Sequence, residues 1–261
     1  MEVNENSKLK LQFDIHTIEH LGVQMYKTLP PVLSELISNS YDADASFVNI
    51  IFEDITEAKT ITVIDDGYGM TFEELNDCFL KIGRNRRKDS NEETPKGRKV
   101  TGRKGLGKLA IFGIAGEIEV KTIKNDLKNV FIMNLQEILS TDKEYNPTII
   151  IKNQKTEEES GTTIILRDIQ RKSSFDIDEL KEAISKRFNF IDPDFYISLQ
   201  KANVETQVIT SKTKWDYITP QFEWNFPKDD ISKDNYAIEK GITGKIISTE
   251  KPLNEHQNGI F

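Results

Sequence analysis

The chain has almost no cysteine. Among 261 residues only Cys78 carries a thiol, which excludes an internal disulfide and any zinc cluster built on cysteines. Cys78 falls in the apolar stretch Leu75 to Leu80, where a buried filler is a simpler account than a nucleophile. Histidine is nearly as scarce. His16, His20 and His256 are the whole supply, and none begins the His-acid-x-x-x-Pro pattern of a phosphoacceptor. No apolar run approaches the roughly 20 residues of a membrane span, and the N-terminus lacks a signal-peptide pattern. No membrane partner is expected, and the cytoplasm is the expected compartment. An excess of positive charge is also missing. With a net charge of −8 the chain as a whole is no polycation for nucleic acid, although basic residues crowd into 81–108. A Walker A loop is absent, since Leu109 follows Lys108 where Ser or Thr would stand.

What is present suits a globular protein: 37% hydrophobic and 30% charged residues. The length allows one good core and a second, smaller unit. Pro30-Pro31 can open a helix that ends near Ala43. Residues 46–53 and 60–65 alternate as strands do, and Thr71 with Glu74 forms a capping-box pattern for a helix to about Ile82. The polar stretch 83–101 reads as a long loop, and a helix is expected from about 102–107 through Ile111. Strands follow at 117–124, 129–134, 147–152 and 161–168. Earlier, 10–15 reads as a strand and 16–28 as a helix. The pattern predicts an α/β sandwich, a helix layer on a mixed, mostly antiparallel sheet. A helix at 178–190 and a strand at 194–200 come next.

Four short patterns carry chemistry. Glu35 and Asn39 lie four apart, on one face of the helix. A carboxamide can hold a hard cation such as Mg²⁺, and a carboxylate one turn away can take a proton from water. Taken alone, such a pair is more often just a solvated helix face. Asp65-Asp66-Gly67-Tyr68-Gly69-Met70 follows an apolar strand. Its glycines let the backbone turn sharply beside a flat ligand, and its first carboxylate can accept from an exocyclic amine. An ordinary Asp-Gly turn looks the same. Gly102-Arg103-Lys104-Gly105-Leu106-Gly107-Lys108 has glycines and lysines suited to phosphate, or to a hinge. Gly161-Thr162 leads a β-branched strand, and a threonine hydroxyl there can bind an amine or a water.

In order, Glu35-Leu-Ile-Ser-Asn39-x-x-Asp42-Ala43, Asp65-x-Gly67-x-Gly69-Met70, Gly102-x-x-Gly105-x-Gly107 and Gly161-Thr162 resemble the motifs of the GHKL ATPases, the superfamily of gyrase, Hsp90, histidine kinases and MutL. The ordered set is far more specific than any member. The first motif looks most like Hsp90. Lys81 to Arg86 looks closer to MORC and to MORC-like prokaryotic ATPases found beside restriction and phage-defence genes. The resemblance covers roughly 10–170 and implies the Bergerat ATP-binding fold over 1–170, with ATP as substrate and Mg²⁺ as cofactor. It implies Glu35 as the general base and Asn39 as the Mg²⁺ ligand. Asp65 would read the adenine amine, helped by Thr162, and Asp42, Ala43, Gly67, Gly69 and Met70 would line the base pocket. Gly83 and the 84–104 segment would form a lid, with Lys104, Gly105, Leu106, Gly107 and Lys108 at the phosphates.

Residues 171–261 are expected to form a partial, transducer-like α+β region, with Lys245 as a candidate phosphate sensor or merely a solvated strand lysine. The strand-like ending at Phe261 reads as the N-terminal part of a longer protein with a downstream effector. The implied activity is slow ATP hydrolysis that drives closure and homodimerisation of a clamp, with non-specific DNA as a further partner and a role in genome maintenance or phage defence. Two alternatives remain open: an ATP-gated interaction module without turnover, and a histidine-kinase-type phosphotransferase.

Overall fold

A computed structural model describes residues 28–55, 58–80, 93–101, 111–141, 145–169, 171–188, 194–210, 212–213, 216–226, 229, 239–241 and 243–250. Helix α1 (Leu29–Asp42) starts on the proline pair, which needs no backbone donor in a first turn. Leu29, Val32, Leu33, Leu36 and Ile37 recur at helical spacing and are buried. The helix stops in a Schellman arrangement. Ala45 N donates to Ser40 O and Asp44 N to Tyr41 O, each at 3.1 Å. Asp44 takes the left-handed position that glycine usually fills, with φ 58°.

Strands β1 (Phe47–Ile55) and β2 (Ala58–Asp65) form a hairpin. The capping box at Thr71 and Glu74 is formed and opens α2 (Phe72–Glu74), which continues as a wide π-type turn over Leu75–Leu80. The side chain of Cys78 lies outside the described part. A single 3₁₀ turn, Ile111–Gly113, precedes β3 (Ala115–Lys124) and β4 (Leu127–Asn134). Asn134 then caps the short α3 (Leu135–Leu139) through Gln136 N and Glu137 N. Next come β5 (Thr148–Lys155), β6 (Gly161–Ile169), α4 (Ile177–Ser185), β7 (Tyr196–Lys201) and β8 (Val204–Ile209). The expected strand at 10–15 and helix at 16–28 lie outside the described residues, Thr28 excepted.

Strands β1 to β8 form one mixed sheet in the order β5-β4-β3-β6-β2-β1-β7-β8. Every neighbouring pair is antiparallel except β1 and β7, which run parallel with Ile50 opposite Leu199. The expected α/β sandwich is present. The helix layer and one face of the sheet share a core that includes Leu33, Ile37, Ile50, Val63, Val120, Leu166 and Leu199. The sheet does not break at residue 170. Beyond it, α4 packs on α1 and β7, and Asp54 of β1 accepts from Phe175 N at 3.0 Å and from Lys201 Nζ at 3.0 Å. Strands β9 (Phe222–Phe226) and β10 (Gly244–Ser248) pair as a separate two-stranded sheet.

Candidate functional site

The end of β2 and the end of α1 are tied together at one carboxylate. Asp65 Oδ2 accepts from Ser40 Oγ at 2.8 Å, and Oδ1 accepts from Gly67 N at 3.0 Å and Thr162 N at 3.2 Å. Burial pushes the Asp65 carboxyl up to about 6; the Ser40, Gly67 and Thr162 donors work against that rise and the Asp66 charge adds to it. Ser40 is a partner that the sequence patterns did not single out. Thr162 stands beside the carboxylate because β6 pairs with β2 in the register Asp65 to Thr162. Its amide makes the contact to Asp65.

The loop after Asp65 is shaped by close approach. A Cβ on Gly67 would stand 2.7 Å from Ala43 O and 2.9 Å from Ala43 Cβ. Gly69 has φ +61°, and a Cβ there would stand 2.0 Å from Ile123 O, so only glycine fits. Tyr68 N donates to Ala43 O at 3.0 Å. Met70 N donates at 2.8 Å to Thr122 Oγ1, a fully buried hydroxyl 3.4 Å from Thr162 Oγ1. Thr122, also missed in the sequence, sits opposite Thr162 in the β3–β6 register. Asp66 serves the scaffold, accepting from Ser46 N at 2.7 Å and Phe47 N at 2.9 Å.

Glu35 and Asn39 occupy the same helix as Ser40 and are half-buried. Neither makes a side-chain hydrogen bond to a described residue. Burial raises the Glu35 carboxyl above its ordinary value, the direction that suits a proton acceptor working near neutral pH. The structure thus brings Asp65, Gly67, Gly69, Met70, Ala43 and Thr162 together around the ends of α1 and β2. Asp42, expected to line the base pocket, is buried, and its Oδ1 accepts from Thr101 N at 2.8 Å and Thr101 Oγ1 at 2.9 Å. Gly83, Lys104, Gly105, Leu106, Gly107 and Lys108 lie outside the described residues, as do the three histidines. Lys245 pairs with Glu223 at 2.9 Å, as a solvated strand lysine would. Among the described residues no group of three or more His, Cys, Asp or Glu could hold a metal, and no helix is long and apolar enough to cross a membrane.

A helix layer on a mixed sheet, with a glycine loop folded around a buried aspartate at a strand end, is the Bergerat type of ATP-binding fold. The family model for histidine kinase-, DNA gyrase B- and HSP90-like ATPases matches residues 26–164, more than half of the chain, and the chain belongs to that family. Among curated proteins, one of Herpetosiphon aurantiacus, provisionally named type II restriction enzyme HgiDII, is 36% identical over 190 residues, covering 72% of this chain and 30% of the relative. The chaperone protein HtpG of Sulfurimonas denitrificans is 26% identical over 280 residues, covering 95% and 42%. HtpG of Fusobacterium nucleatum is 28% identical over 227 residues, covering 75% and 36%. The chain therefore spans well under half the length of these relatives.

Proposed function

We propose that the chain binds ATP with Mg²⁺ and hydrolyses it slowly to ADP and phosphate. The observation that carries this is the contrast on α1: Ser40 is bound to Asp65, whereas the side chains of Glu35 and Asn39, on the same helix, make no hydrogen bond to a described residue. Asp65 reads the exocyclic amine of adenine, with Thr162 beside it, and Gly67, Gly69, Met70 and Ala43 wall the base. Glu35 orients the attacking water and takes its proton. The carboxamide of Asn39, which makes no hydrogen bond to a described residue, would hold Mg²⁺, a hard cation that takes oxygen ligands. When bound, the ion neutralises charge on the phosphates. Gly83, Lys104, Gly105, Leu106, Gly107 and Lys108 serve the triphosphate.

The test is Glu35→Ala. Binding and water activation use different atoms, so the variant is expected to bind Mg·ATP with near wild-type affinity in calorimetry and to lose turnover by at least about 100-fold. Hydrolysis at the wild-type rate would remove Glu35 from that role.

The wider reading is an ATP-driven clamp in the cytoplasm: the 84–104 segment closes over bound nucleotide and two copies associate. Residues 171–261 contribute a partial, transducer-like region, and a downstream effector is a further partner. A nucleic-acid role is supported by the restriction-enzyme name of one relative and by the basic 81–108 segment. Two of those basic residues are spent internally, Lys96 on Asp44 O and Arg98 on Ala45 O. The expected DNA affinity is weak, non-specific and steeply lowered by salt. Light scattering with a non-hydrolysable ATP analogue tests association, and DNA titration at two ionic strengths tests the second partner.

A further inference from the structure

The core face of β3 breaks its apolar run at one residue. Ile118 and Val120 are buried there, and Thr122 follows in the same alternation, fully buried. A hydroxyl in that position costs stability unless it is bonded, and Thr122 Oγ1 has three polar neighbours. It accepts from Met70 N at 2.8 Å, and it stands 3.3 Å from Gly161 O and 3.4 Å from Thr162 Oγ1. A hydroxyl has one hydrogen to give and two lone pairs. Met70 N occupies one lone pair. The hydrogen can go to Gly161 O or to Thr162 Oγ1, but not to both at full strength. When it goes to Gly161 O, Thr162 can donate into the second lone pair of Thr122. When it goes to Thr162 Oγ1, the Thr162 hydrogen is released. Both arrangements leave each hydroxyl oxygen partnered, and they differ only in the direction in which two hydrogens point.

Adenine presents the hydrogens of its amine beside the lone pair of N1. Asp65 accepts from the amine, and an ionised carboxylate has no hydrogen for N1. Thr162 is paired with Asp65 in the sheet register, and its hydroxyl can supply that hydrogen, directly or through one water. We propose that Thr122 is a positioning residue for base recognition: on binding, its hydrogen turns from Gly161 O to Thr162 Oγ1, so that Thr162 donates toward adenine N1 while Met70 N keeps its acceptor. This deepens the nucleotide-binding reading and rests on it. The relay works only for a base with an acceptor at N1. A threonine that served the fold alone would lower the melting temperature on replacement and leave the choice among bases where it was.

The decisive measurement is calorimetry of the whole chain with Mg·ATP and with Mg·1-deaza-ATP, in which a C–H replaces N1, comparing wild type, Thr122→Val and Thr122→Ser. Wild type is expected to prefer ATP about tenfold, as one hydrogen bond at a buried site dictates. Valine keeps the shape and removes the hydroxyl. It takes the acceptor from Met70 N for both ligands and the relay for ATP alone. Both affinities should therefore fall, and the preference for ATP should shrink to about twofold or less. Serine restores the hydroxyl and the preference. Should Thr122→Val fail to fold, Thr122→Cys tests the same ratio, because a thiol is close in size and only a weak donor and acceptor. A wild type that binds neither ligand overturns the nucleotide reading itself. A wild type that binds both equally, or a Thr122→Val that keeps the wild-type preference, overturns the relay and leaves nucleotide binding standing.

Discussion

The two ends of the candidate site are built on opposite plans. At the base end nearly every polar group is already spent within the protein: Asp65 has three donors, Met70 N has Thr122, and Tyr68 N has Ala43 O. On α1 the side chains of Glu35 and Asn39 have no described partner. A group meant to recognise one fixed shape gains from being held still, because the ordering cost is met during folding. A group meant to move a proton or meet a hydrated ion gains from keeping its own atoms free. Damage to the base end should therefore appear in both stability and affinity, and damage at Glu35 in rate alone.

The largest effect should come from Gly69→Ala. The new methyl would meet Ile123 O at a φ that favours glycine. The loop must shift, costing about 1–3 kcal/mol in backbone strain alone, and nucleotide binding should be lost with it. Urea unfolding and calorimetry would show both changes. A variant with wild-type midpoint and affinity would mean that the base end is less rigid than the contacts imply. Ser40→Ala should act more gently. It leaves Asp65 its two backbone donors and removes the 2.8 Å hydroxyl bond, along with the hydroxyl's 3.2 Å contact to Leu36 O. Affinity for ATP is expected to fall about tenfold, with turnover per bound nucleotide preserved. A fall in turnover at unchanged affinity would place Ser40 with Glu35 and Asn39, and the division between the two ends would fail.

Much of this was legible in the chain, for reasons that differ by element. Strands β1, β2, β3 and β6 show through alternation, and α1 through Pro30-Pro31 and its apolar spacing, because burial on one face leaves a periodic record. The Thr71 capping box was legible because it is local. The parallel pairing of β7 with β1 was not. It joins segments about 150 residues apart, and local pattern holds no record of a crossover, so the sheet's continuation past 170 went unseen. Helix α3 is five residues long, too short for a periodic signal, although its Asn134 cap was a readable cue. At the site, Asp65, Gly67 and Gly69 stood out by residue type and order. Ser40 and Thr122 did not, since a serine or threonine takes meaning only from the group placed opposite it. Asp44 was hidden in another way: its left-handed backbone occupies a position where glycine is the usual signal.

The smallest effect is the one that separates stability from binding within the base end itself. Asp65 ionises ordinarily near 3.8, and burial pushes it up to about 6 in the folded chain. Below about pH 4 both states keep the proton. Between about 4 and 6 the unfolded chain releases it while the folded chain retains it, so ionisation favours unfolding and stability falls as pH rises through that window. With at most one proton at stake, the drift is bounded at about 1.4 kcal/mol per pH unit inside that window. Nucleotide affinity should move the other way, since an ionised carboxylate is the stronger acceptor for the adenine amine. A few-fold gain is expected as pH climbs through about 6. ATP titrates in the same range, and comparison with Asp65→Asn cancels that contribution, because the amide does not ionise. Melting curves with and without ATP across this window, on both proteins, give the two slopes together. Opposite slopes in wild type, both absent in Asp65→Asn, fit a buried carboxylate that accepts from the base. Parallel slopes would mean that Asp65 serves the fold only, and would move base recognition to the backbone of the Gly67–Met70 loop.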